Sequence, residues 1–233
     1  MKLHNHIVLC LFALVAVAGC SSTKVTDRQQ LVTERIARPD HIWVYDFVAT
    51  PADVPPDAHV VVQNTNQTAE QIDTGRQLGA QIASELVADI QAMGLPAQEA
   101  AAGTSPQKVG DIVIRGYLLS IQEGSEAKRF AIGFGSGASE LTTAVEGFQM
   151  TPQGLRKLGS GTVESGGSKT PGAAMPAAVA IASGNPVGLI VSSGMKIYGE
   201  TSGRSKVEGR AKQTAQEIAD QLKVRFQQEG WIQ

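Results

Sequence analysis

Apolar residues recur along this chain in two rhythms, and the changes of rhythm mark its elements. From Thr68 to Met93, Ile72, Leu78, Ile82, Leu86, Ile90 and Met93 fall at helical spacing. Thr68 with Gln71 predicts a capping box at the start, and Gly94 followed by Pro96 predicts the stop. Gly75 and Gly79 lie on or near the apolar stripe. A helix-interior glycine costs about 1 kcal/mol relative to alanine, which predicts that this helix lies close against a sheet. The same rhythm returns from Ser205 to Gln228, with Val207, Ala211, Ala215, Ile218, Leu222 and Phe226 as the stripe and Gly230 at the end.

Between and before these helices the pattern is that of strands. "HIWVYDFV", His41 to Val48, is β-rich. A short strand is expected at Leu95–Ala100, and "DIVIRGYLLSIQ", Asp111 to Gln122, is apolar enough to predict partial burial on both faces. "ELTTAVEGFQM" and "LRKLGSGTVE" flank "TPQG". Pro152 at the second turn position and Gly154 at the fourth predict a β-hairpin over 140–164. Thr50 to Gln67 holds Pro51, Pro55 and Pro56 and reads as a long loop, with "HVVVQ" pairing at an edge. This order predicts an α+β fold: a mixed or antiparallel sheet with two long helices packed on one face.

One stretch fits neither rhythm. Thr170 to Met195 is 26 residues without a charge, Gly/Ala-rich, and broken by Gly184-Asn185-Pro186. Two short helices, roughly 174–183 and 187–194, are expected in this insertion (170–195) as a hairpin docked on the core. An oligomer interface and a patch lying on the membrane are the alternatives.

The first residues decide where the chain goes. Ile7 to Val17 is an apolar run of 11 residues, suited to a signal peptide and short of the about 20 needed to span a bilayer. Val17-Ala18-Gly19-Cys20 follows and resembles the bacterial lipobox. On this reading 1–19 is a lipoprotein signal peptide and Cys20 becomes the acylated first residue. Residues 20–39 form a polar tether, helical in part, and 40–233 is a single α+β domain. Several acyl chains make a stable anchor where one does not. Ser21 rather than Asp after the cysteine accords with outer-membrane placement in Gram-negative lipoproteins, facing the periplasm. Cys10 is lost with the signal, so the mature body holds no thiol for a disulfide, metal or nucleophile.

Charge narrows the partners. Of 20 basic and 22 acidic residues only Lys2 precedes Cys20, leaving 19 against 22, a net of −3. That is no footprint for nucleic acid. Candidate chemistry is thin. Gly133, Gly135 and Ala138 in "RFAIGFGSGASEL" match the spacing of a dinucleotide turn, but the next residues lead into a hairpin. Such a turn needs a helix there, and an acid about 20 residues on, where Pro152 to Gly154 stand instead. Glycines beside a strand otherwise permit a bulge or close backbone approach. "GTVESGGSKT" imitates a phosphate loop in the wrong register. His41 and His59 are the only histidines after the signal, without metal-ligand spacing. No G-x-S-x-G elbow occurs. No catalytic, cofactor-binding or metal residue is therefore expected, and Cys20 is the one site residue, for lipidation.

"GYLLSIQEGSEAKRFAIGFGSGASEL", followed by "GLRKLGSGTVESGGSKTPG", resembles the family named domain of unknown function 4410 (DUF4410), typically predicted bacterial lipoproteins. The resemblance runs over roughly 40–230 and is most specific from Gly116 to Gly172. It implies one module and transfers no catalytic residue. The element order is more loosely similar to the α/β domain of TolB amino-terminal regions and of curli-type secretion lipoproteins. The expectation is a non-enzymatic envelope protein anchored to the membrane through lipid on Cys20. It would support assembly, transport or secretion through contacts with envelope proteins, and a homo-oligomer is prompted by the uncharged stretch. The alternatives are a carrier with a small-ligand pocket between sheet and helices, and a hydrolase with an unrecognised site.

Overall fold

The structure, a computed structural model, describes residues 22–55, 61–62, 68–100, 108–122, 140–166, 190–191, 196–198 and 204–233. Cys20, the Gly133–Ala138 stretch, His59 and most of 170–195 lie outside these residues. In chain order the elements are β1 (Ser22–Gln30), β2 (Ile42–Tyr45), a 3-10 turn (Pro51–Asp53), β3 (Val61–Val62), α1 (Ala69–Ala92), β4 (Ala97–Ala100), β5 (Ile112–Gln122), β6 (Glu140–Thr151), β7 (Gly154–Gly166), β8 (Ile190–Val191), β9 (Lys196–Tyr198) and α2 (Arg204–Glu229).

The fold is α+β. A mixed sheet runs β1-β7-β6-β5-β2-β4, with β9 beside β5, and α1 and α2 pack on it and on each other. β2 is parallel to both β4 and β5, whereas β5, β6, β7 and β1 are antiparallel in succession. β5 is central, and 111–119 are buried without interruption, beyond the partial burial that its apolar run predicts. The hairpin also forms as predicted. Thr151 pairs with Gly154 across Pro152-Gln153, and Gly154 takes φ +109°, a left-handed conformation open chiefly to glycine.

α1 starts on the expected capping box. Thr68 Oγ1 accepts from the Gln71 amide at 3.2 Å, and Gln71 Oε1 accepts from the Thr68 amide at 2.9 Å. Its buried stripe includes Leu78, Ile82, Leu86 and Ile90, which join Ile42, Val44, Ile112 and Ile114 of the sheet in one core. Gly79 is the point of closest approach. A Cβ there would stand 2.0 Å from the Phe47 carbonyl oxygen, and the Phe47 amide donates to the Gly79 carbonyl at 3.2 Å. The Phe47 ring in turn lies where a Cβ on Gly116 would go.

Two expectations are corrected. The supposed tether, 20–39, is in its described part no tether: Ser22–Gln30 is the edge strand of the sheet, paired from Ser22↔Gly166 to Gln30↔Gly159. Its polar sequence hides this, because an edge strand is held by backbone hydrogen bonds and needs few apolar side chains. Of the expected helix at 187–194, the described residues Ile190 and Val191 are a strand paired in parallel with Val61 and Val62. Both are runs of β-branched residues, which suit a strand better than a helix.

Candidate functional site

Glycines of the hairpin line one side of a cavity. Gly159 and Gly161 project to the same side of β7, and Gly147 of β6 stands opposite Gly159 in register, as Val145 stands opposite Gly161. This side faces α2, as the 2.7 Å hydrogen bond between Ser165 Oγ and Thr214 Oγ1 shows. A Cβ on Gly147 would meet nothing within 4 Å. A Cβ on Gly159 would stand 2.6 Å from the Gln29 carbonyl oxygen, so that glycine admits the β1 backbone, whereas Gly147 leaves open space. A cavity of about 170 Å³ lies between this side of the hairpin and the α2 residues Ile218, Leu222 and Phe226. Ile112, Ile114 and Val163 complete the apolar wall.

The end of α2 closes one side by clasping the chain between β1 and β2. Glu229, whose side chain is 2% exposed, is ion-paired with Arg225 one turn earlier and accepts from the Ile36 amide at 2.7 Å. Arg225 also donates to the Val32 carbonyl at 3.0 Å, and the Trp231 indole donates to the Ile36 carbonyl at 2.9 Å. Trp231 stacks on Phe226 with ring centres 5.2 Å apart. At the rim, a bulge in β1 at Asp27, with φ +51°, precedes Arg28, which donates to Gln221 Oε1 of α2 at 2.9 Å. Glu229 is the one carboxylate among the described lining residues, and Arg225 and Ile36 occupy it.

The groups considered from sequence do not converge here. His41 lies 3.6 Å from Asp111 at the opening of β5 and stacks on Trp43. Asp111, 1% exposed, accepts from the Trp43 indole and the Lys108 amide, each at 2.9 Å. This carboxylate ties β2 to the loop before β5. Among the described residues no three His, Cys, Asp or Glu side chains are grouped to hold a metal. Gly161 and Gly166 of the mimic phosphate loop belong to strand β7. Asp89 is raised above the ordinary carboxyl range by desolvation, then by Glu85 and Asp220, against the lowering influence of Lys212, but it sits at the seam between the helices. Arg28, Arg225, Glu229 and the floor glycines were not singled out from sequence. The alternation Gly159-x-Gly161 in a hairpin strand was the available signal.

The family model described as "Domain of unknown function (DUF4410)" matches residues 42–184. The chain belongs to this family. The DUF4410 match contains the cavity floor on β5, β6 and β7, while the roof on α2 and the rim on β1 fall outside it. No curated protein matches the chain. Among solved structures it is similar to a PelC dodecamer from Paraburkholderia phytofirmans, at 15% identity over 63% of this chain and 81% of that one, with a TM-score of 0.34. A single-substitution variant of the same dodecamer gives 16% identity over 63% and 82%, with a TM-score of 0.35.

Proposed function

We propose that this DUF4410 chain is a non-enzymatic envelope lipoprotein, anchored through acylated Cys20 in the outer membrane and facing the periplasm. It supports assembly, transport or secretion through contacts of its α+β domain. The lipobox Val17-Ala18-Gly19-Cys20 carries this reading, and the strand register adds to it. Ser22, Gly166, Glu140, Gln122 and Tyr198 stand in one row across the sheet end. Cys20 is two residues from that row, a reach of about 7 Å at most. An anchor there holds this end of the sheet at the bilayer, where a long tether would have let the domain roam. Among the described residues no helix is long and apolar enough to cross a membrane. Cys20→Ala tests this by membrane fractionation: the variant should leave the membrane pellet at high salt, and a variant that stays there refutes lipid anchoring.

The cavity favours a second reading, in which the same domain carries a small ligand. A half-open apolar cavity beneath α2, with Arg28 and Gln221 among its polar lining groups, has the form of a ligand site.

A further inference from the structure

Resting on the carrier reading, we infer that the cavity beneath α2 binds a small carboxylic acid, with an apolar body of about six to eight carbons inside and its carboxylate at Arg28. Size and lining set the body. At about 170 Å³ the cavity compares with apolar cavities of about 150 Å³ that take a benzene-sized guest. Its floor at Gly147 is open, and its walls are Ile112, Ile114, Leu222 and Phe226. A body carrying hydroxyls along its length would leave polar groups unpaired against these walls.

Charge sets the head. Among the described residues the charged lining groups are Arg28, Arg225 and Glu229. Arg225 and Glu229 neutralise each other and are committed to the Val32 carbonyl and the Ile36 amide. The remaining rim charge is the Arg28 guanidinium. It is exposed, and its hydrogen bond to Gln221 Oε1 uses one of five donors in a planar fork. A carboxylate can take that fork by two parallel hydrogen bonds, while the Gln221 amide is already donated to Glu217 Oε1 at 3.0 Å. The β1 bulge at Asp27 is what puts this guanidinium against α2 at the rim. A neutral alcohol of the same shape gains the apolar walls and, at the head, a single hydrogen bond without charge assistance.

The test uses the full chain in phosphatidylcholine vesicles at pH 7.5, with protein-free vesicles subtracted. It is titrated with octanoate and, separately, with octanol by calorimetry and by the change in tryptophan emission against a Trp43→Phe background, which leaves Trp231 in the cavity lining as the reporter. Octanoate should bind saturably at one per chain, and octanol at least tenfold more weakly. Arg28→Gln, on an exposed residue, should weaken octanoate about tenfold and leave octanol unchanged. Gly147→Val should abolish both by filling the floor. Equal affinity for the two probes, or an unchanged octanoate affinity in Arg28→Gln, overturns the acid-binding inference and leaves the carrier reading standing. Binding of neither probe overturns both.

Discussion

The same substitution, glycine to alanine in a helix interior, should act with opposite sign at two positions of this protein. In α2, a Cβ on Gly209 meets nothing within 4 Å. Gly209→Ala should therefore show only the helix-propensity gain, about 1 kcal/mol. In α1, a Cβ on Gly79 would lie 2.0 Å from the Phe47 carbonyl oxygen and 3.0 Å from its carbonyl carbon. Both are backbone atoms, so no side-chain rotation relieves the contact. The helix must recede from the sheet by about 1 Å, an overpacking strain of roughly 1–3 kcal/mol. The Phe47 amide bond to the Gly79 carbonyl, already 3.2 Å long, is lost with it for about 1 kcal/mol more. After subtracting the propensity gain, Gly79→Ala should destabilise by roughly 1–3 kcal/mol. Urea denaturation followed by the emission of Trp43 and Trp231 reads both changes as opposite shifts of the midpoint at constant slope. A Gly79→Ala protein as stable as the parent, or more so, would refute the close approach of α1 to Phe47.

The clasp at the end of α2 predicts that Glu229→Ala leaves the Ile36 amide and Arg225 without their shared acceptor, at a cost of roughly 3 kcal/mol. Glu229→Gln retains an acceptor and should lose about half as much; rapid exchange of the Ile36 amide already in the parent, or a Glu229→Ala protein as stable as the parent, would instead mean that the clasp does not hold this segment. Asp89 supplies a pH test: its raised pKa means that the folded chain holds this proton more tightly than the unfolded chain. The penalty is present at neutral pH and is relieved as pH falls through the raised value toward the ordinary aspartate range. Asp89→Asn should be more stable than the parent at pH 7 and should lack that gain on mild acidification. Parallel stability curves for the two proteins over that interval would rule out the acidic seam as its source.

What was legible in the sequence was local. The Thr68–Gln71 capping box, the stripes of α1 and α2, the Pro152–Gly154 turn and the apolar run of β5 each follow from side chains within a few residues of one another. The α+β class follows from their order. Even Gly79 announced its role, because a costly glycine on an apolar helix face needs a backbone nearby to justify it. The tertiary structure decided what depends on partners far along the chain. Ser22–Gln30 is a strand because β7, more than a hundred residues away, offers it a hydrogen-bonding edge, and backbone pairing leaves no mark on side-chain hydropathy. Ile190 and Val191 are a strand because Val61 and Val62 lie beside them. The cavity depends on register: Gly147 faces Gly159 only because the hairpin pairs them, and Arg28 reaches Gln221 only because β1 bulges at its rim. The space at Gly147 becomes a cavity when distant residues wall it, and that packing is a property of the folded chain, beyond any pattern along it.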